Sequence, residues 1–129
     1  MSAAGDAIRA SAVEALASVP AIGRVYDAPP LQAALPHALV AIDLESDWSH
    51  KSGAGRDVRL AVSIFDKAER PERLRRLAGE AETALGAIGG SVGGWRVATM
   101  VFLRTRIVRG RDGVWVAIVE FRARLLAAG

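Results

Sequence analysis

From Trp115 to Leu125 every second residue is apolar: Trp115, Ala117, Val119, Phe121, Ala123 and Leu125. Successive strand side chains point to opposite sides, so this set shares one face. Upstream, Val97, Thr99, Val101, Leu103, Thr105 and Ile107 hold the odd positions of a second alternating run. Gly110-Arg111-Asp112-Gly113 lies between the two. Opposed residues of a hairpin share a face. If both odd sets line one core, the connecting loop must hold an odd number of residues. Arg111-Asp112-Gly113 supplies three, with Gly113 suited to a left-handed position. This register sets Gly110 against Val114, Ile107 against Ala117, Arg104 against Glu120 and Leu103 against Phe121.

The even face of this hairpin is not an ordinary solvated one. It carries Met100, Phe102, Arg104, Arg106 and Val108 on the first strand. The second contributes Val114, Val116, Ile118, Glu120, Arg122 and Arg124. One half is apolar and the other basic, whereas a face left to water reads as mostly polar. Four readings fit: a few apolar residues left exposed, a helix packed on the apolar half, a surface buried against another subunit, or a nucleic-acid contact.

The rest of the chain predicts a small α+β domain. Ile8, Ala12, Ala15, Leu16 and Val19 make one stripe of a first helix over residues 3–18, stopped by Pro20. Residues 20–37 form a proline-rich connector in which Val25 and Tyr26 read as a short strand or an anchor. Residues 38–48 and 56–65 read as paired strands. The first points Val40, Ile42, Leu44 and Trp48 one way and Asp43, Glu45 and Asp47 the other. The second points Val58, Leu60, Val62 and Ile64 inward. Residues 49–55 link them as a long polar loop, expected to be mobile. Leu74, Leu77, Ala78, Ala81, Leu85 and Ile88 mark a second helix over residues 70–88, with Pro71 in its first turn. Four arginines crowd that helix start, opposing the helix dipole, with Glu69 and Glu72 placed to offset them. The expected fold is one domain over 1–129, an antiparallel sheet of about four main strands with two helices on one face.

Composition removes several kinds of chemistry. The 129 residues include no cysteine, which excludes disulfides, thiolate metal sites and cysteine nucleophiles. The two histidines, His37 and His50, have no metal-binding spacing. Gly89-Gly90-Ser91-Val92-Gly93-Gly94 follows a helix and precedes a strand, the reverse of a phosphate loop. It reads as a helix cap and flexible connection. No nucleophile elbow is present. No apolar run approaches a membrane span, and the N-terminus has no secretory pattern, so the chain is expected to be made in the cytoplasm. The reading is a non-enzyme with no cofactor and no metal.

Charge is uneven. The net +3 divides into −3 over residues 1–69 and +6 over 70–129. A subunit polarised in this way suits head-to-tail contacts between copies. A pI near 10.2 also permits weak, salt-sensitive binding to phosphate polymers.

Several stretches, in this order and spacing, resemble the tail-completion, or tail terminator, proteins of long-tailed bacteriophages and gene transfer agents. They are the alanine-rich opening helix, Gly23-Arg24-Val25-Tyr26-Asp27-Ala28-Pro29, and Leu35-Pro36-His37 entering a strand. Asp47-Trp48-Ser49-His50-Lys51-Ser52-Gly53-Ala54-Gly55-Arg56 follows. The arginine-rich helix, Phe102-Leu103, the Arg111-Asp112-Gly113 turn and Phe121-Arg122-Ala123 complete the set. His37 stands where an aromatic residue is expected. The resemblance implies a structural component that closes the head-proximal end of the tail tube as a ring, typically hexameric. Its implied partners are further copies of itself, the tail tube protein and the head–tail connector proteins. DNA would pass through the ring without specific binding. Alternatives are another connector or ring component of the same particle, or a small nucleic-acid-binding module. The expected contact residues are Asp43, Glu45, Asp47, Trp48, His50 and Lys51 of the first hairpin. With them go Met100, Phe102, Arg104, Arg106, Val116, Ile118, Arg122 and Arg124 of the second.

Overall fold

The computed structural model describes residues 3–30 and 32–128; Met1 and Ser2 of the N-terminal stretch read above lie outside them. The order is helix α1 (Ala4–Leu16), a 3-10 turn (Pro20–Ile22), strands β1 (Arg24–Tyr26), β2 (His37–Asp47) and β3 (Gly55–Lys67), helix α2 (Glu72–Gly86), then β4 (Ser91–Val92), β5 (Trp95–Arg109) and β6 (Val114–Ala127). The strands form one sheet in the order β1-β2-β3-β6-β5-β4. β1 runs parallel to β2, and every other pairing is antiparallel. The α+β class and the four long strands are as the sequence predicts. The sheet, however, has six strands and is mixed. β1 is the short strand that Val25 and Tyr26 suggested, while β4, two residues long, is too short for alternation to reveal.

β3 and β6 pair along almost their whole length and form the middle of the sheet. Val58, Leu60, Val62 and Ile64 oppose Ala123, Phe121, Val119 and Ala117 on one face, and all eight are buried. Both helices add their buried residues to this same cluster, so both lie on this face. α1 contributes Ile8, Ala12 and Leu16; α2 contributes Leu74, Leu77, Ala81 and Leu85. Phe121 sits at the centre with 1% of its surface exposed. Among the described residues no helix covers the opposite, outer face.

The start of α2 is anchored by a contact the sequence did not suggest. Asp66, near the end of β3, is 2% exposed. Its carboxylate accepts hydrogen bonds from the Lys67 N–H at 2.9 Å and from Arg73 Nε at 2.8 Å, and it also pairs with Arg73 Nη2. Asp66, rather than Glu69 or Glu72, is therefore the carboxylate that pairs with Arg73. The bond to Asp66 holds Arg73 protonated above its ordinary range. Arg73→Ala should leave the buried carboxylate with one donor. The fold should lose stability, though less than for a fully buried pair because the Arg73 side chain is half exposed. Chemical denaturation of the two proteins measures it.

The hairpin turn closes as expected. The Gly110 N–H donates to the Val114 carbonyl at 2.7 Å, and Gly113 takes φ +74°. Asp112 is also left-handed, at φ +57°, a conformation that aspartate tolerates better than most residues. Ile107 opposes Ala117 and Arg104 opposes Glu120, as predicted.

Beyond Arg104 the register departs from strict alternation. β5 carries an extra residue at Leu103 and another at Ala98. Each bulge shifts the strand by one and exchanges its faces. Phe102, not Leu103, therefore opposes Phe121, and Met100 opposes Ala123. The Phe102 and Phe121 rings meet edge-on at 5.6 Å. Met100 and Phe102 thus belong to the helix-covered side, which corrects their placement on the even face. Thr99 and Val101 take their places beside Arg124 and Arg122.

A third bulge, at Asp43, does the same to β2. Leu44 opposes Arg59 on the outer face, while Glu45 opposes Val58 on the helix side. The expected grouping of Leu44 with Val40 and Ile42 is therefore wrong beyond the bulge. So is the shared face of Asp43, Glu45 and Asp47. A local excess of one residue leaves no mark in the apolar pattern, which is why alternation alone misplaced both segments.

The link between β2 and β3 is a closed hairpin rather than an open loop. Trp48 N–H donates to the Gly55 carbonyl at 2.9 Å, and His50 and Gly53 exchange hydrogen bonds. Gly55 is buried, and a side chain there would collide with the Trp48 carbonyl. The Gly89–Gly94 run, expected as a cap and flexible connection, forms a small hairpin: β4 pairs with Trp95 and Arg96 of β5.

Candidate assembly surface

The outer face carries the odd residues of β3 and the even residues of β6. It divides into an apolar and a charged half, as the hairpin pattern predicts. At the apolar end, Phe65 opposes Val116 and Ser63 opposes Ile118; Val116 and Ile118 are half-buried. His37 stacks on Phe65 at 4.9 Å and meets Tyr26 edge-on at 5.6 Å. The histidine thus fills the aromatic position expected at this strand entrance. The connector residues Pro29, Pro30 and Leu35 border the same end of the sheet, beside Leu39 and Val114.

At the charged half two carboxylates organise four arginines. Arg104 donates to Glu120 at 2.8 Å, and Arg106 lies 3.8 Å from its other oxygen. Arg124 Nε donates to Asp57 Oδ2 at 3.1 Å. Arg122 Nε lies 3.2 Å from that oxygen but off the line a hydrogen bond needs, so it contributes charge more than a directed bond. Such partly exposed pairs are worth about 0–1 kcal/mol each. They hold the guanidinium groups in place. Arg59, opposite Arg122, has no ion pair among the described residues. With it, five arginines face two carboxylates, so this half stays net positive.

The expected acidic partner surface is dispersed. Asp43 sits in the bulge and, with Leu44, Arg59, Leu103, Arg104 and Glu120, lines a shallow groove of about 220 Å³ across the outer face. Glu45 approaches Arg56 at 3.7 Å on the helix side, where its carboxylate also lies over Gly5 of α1. Asp47 accepts a 2.6 Å hydrogen bond from Ser49 Oγ. Trp48 stands on the outer face under the Arg124 guanidinium, 5.3 Å from the ring centre, with His50 edge-on at 4.6 Å. Lys51 is exposed at the turn. The structure therefore gathers Trp48, Arg104, Arg106, Val116, Ile118, Arg122 and Arg124 on one face. Glu45, Asp47, Met100 and Phe102 lie on the other. Asp57 and Arg59, which complete the charged half, were absent from the sequence-based contact set; their cross-strand register to Arg122 and Arg124 was the missing signal.

The Ser49 hydroxyl, followed by the Ser49 backbone N–H, holds the Asp47 carboxyl below its ordinary value of 3.8. A carboxyl whose folded pKa is depressed stabilises the fold above its unfolded pKa, and that contribution is lost as pH falls through the folded one. Ser49→Ala should raise the Asp47 pKa toward 3.8, read by NMR titration of the side-chain carboxyl.

No group of three or more possible metal ligands occurs among the described residues. Among the described residues no helix is long and apolar enough to cross a membrane. What the fold offers is a sheet with one face left uncovered by its own helices and two long strands only partly covered at the edges, the attributes of an assembly component.

The comparisons agree with that class. The family described as "Tail completion protein gp17" matches residues 6–126, nearly the whole chain. The chain belongs to this family of tail completion proteins. No curated protein is a significant match. Among solved structures, a chain from the "Virion of native gene transfer agent (GTA) particle" superimposes with a TM-score of 0.82 at 22% identity, covering 98% of this chain and all of that one. At that identity the likeness establishes the shared fold.

Proposed function

We propose that this protein completes the tail by forming a ring, six copies to match a six-fold tail, at the head-proximal end of a phage or gene transfer agent tail. The family match carries the tail-completion role. The uncovered outer face supports assembly as the mode of action. Val116 and Ile118 supply apolar area that no helix covers among the described residues, and Arg104, Arg106, Arg122 and Arg124 lie beside it with fixed positive charge. Trp48, His50 and Lys51 extend the surface at the first hairpin. Asp43, Glu45 and Asp47 lie along β2, where a neighbouring copy can meet them. Met100 and Phe102, now assigned to the helix side, join the contact set through the edge of β5. The tail tube protein and the head–tail connector are the other partners, the role is structural rather than catalytic, and DNA passes through the ring without specific recognition. The test is deletion of the gene in a producing strain. Heads and tails should accumulate unjoined, and the wild-type gene should restore joining. Normal yields of infectious or DNA-transferring particles after deletion would refute the role.

A further inference from the structure

The most exposed large apolar side chains among the described residues are Leu44 at 57%, Val101 at 47%, Val108 at 45%, Phe102 at 39% and Leu35 at 37%. Four of the five lie on the two strands that end the body of the sheet. β4 pairs only with Trp95 and Arg96 of β5, and Gly90 takes the Val97 N–H. β1 pairs only with His37–Leu39 of β2. β5 from Ala98 to Arg109 and β2 from Val40 to Asp47 therefore have no main-chain partner on their outer sides among the described residues. Long unpaired edges of this kind pair with other chains unless something blocks them.

The two edges match. Leu44 opposes Arg59, Arg59 opposes Arg122, and Arg122 opposes Val101, so Leu44 and Val101 end one row on the outer face. Ile42, Leu60, Phe121 and Phe102 form the neighbouring row on the helix face. Three antiparallel steps separate β2 from β5, so the two strands run in opposite directions. Set β5 of one copy against β2 of the next with no slide along the strands. The sheet continues antiparallel, Val101 meets Leu44, and Phe102 meets Ile42. Asp43 then falls beside Arg104; the pairing runs over Thr99–Thr105 against Val40–Ser46, and from Arg106 onward β5 leaves the ladder because β1 already occupies that side of His37–Leu39. Charge agrees as well: β5 from Ala98 to Arg109 has three arginines and no acid, while β2 from Val40 to Asp47 has three acids and no base.

We propose that neighbouring copies join edge to edge, β5 of one against β2 of the next, so that the sheets continue around the ring. The contact is head-to-tail, the kind that repeated rotation can close. It specifies how copies meet within the ring proposed above and rests on that reading, and it leaves the outer face for the tube or connector.

The chain has no cysteine, so an introduced pair reports its own contacts. Leu44→Cys with Val101→Cys replaces two exposed side chains. Circular dichroism checks the fold, and light scattering in the presence of tail tube protein reads assembly in the same sample. Mild oxidation of the double variant should yield a ladder of disulfide-linked oligomers, while neither single variant should cross-link. Assembly without cross-linking, or dimers from Val101→Cys alone, would overturn the edge-to-edge arrangement and leave the tail-completion role standing. A protein that stays monomeric with the tube present would contradict the ring itself.

Discussion

Phe121→Ala should destabilise the fold by about 3–5 kcal/mol, among the largest losses from any single truncation in this chain. The ring is 1% exposed and lies in the central strand, opposite Leu60 on β3 and Phe102 on β5. It also reaches Gly86 at the end of α2, whose Cβ position would lie 3.9 Å from the ring. Sheet and helix cannot both close on the cavity that alanine leaves, because the β3–β6 ladder fixes one wall. Leu77→Ala, 2% exposed on α2, should fall at the lower end, about 2–4 kcal/mol, since a helix face can settle toward the sheet. Denaturant midpoints that move by less than a few tenths of a molar in both variants would show that the helix-covered face is not the core.

Ile118→Asp should separate folding from assembly. Ile118 is half-buried on the outer face, between Ser63 and Arg106. Among the described residues no helix packs there, so an aspartate remains hydrated in the single subunit. In a contact it becomes an unpaired charge. Association through that face, with the tail tube or connector, should weaken about 30-fold or more, the scale of a lost hot spot, and tail joining should fail. Arg122→Glu should weaken association less, with an effect that shrinks at high salt, because its charge is screened. Light scattering beside circular dichroism, followed by complementation of a particle lacking the protein, reads both variants. An unfolded Ile118→Asp monomer would make the outer face part of the core. A variant that folds and yields working particles would remove this face from the contact.

The residues that made the sequence legible were those whose alternation runs unbroken. Trp115 to Leu125 showed its two faces directly, and the three-residue turn fixed the pairing from Gly110 back to Arg104. α2 was equally plain, because its stripe falls on one side of a regular helix. Alternation failed where the backbone inserts a residue. At Asp43, Ala98 and Leu103 the chain keeps extended geometry while exchanging its faces, so the residues beyond Asp43 and those between Ala98 and Leu103 were assigned inside out. Leu44 and Val101 were consequently placed in the core, although each is about half exposed. The Asp66–Arg73 anchor was hidden for a different reason. It joins the end of a strand to the first turn of a helix through a short connection, which no periodicity describes. The arginines of the hairpin were recognised, yet their carboxylate partner Asp57 lies on another strand and emerges only from the β3–β6 register.

The most direct test of a ring that completes the tail is negative-stain microscopy of the purified protein, alone and mixed with tail tube protein. Closed rings seated at one end of the tube, with the other end bare, are the predicted result. Single subunits that leave both ends of every tube bare would contradict it.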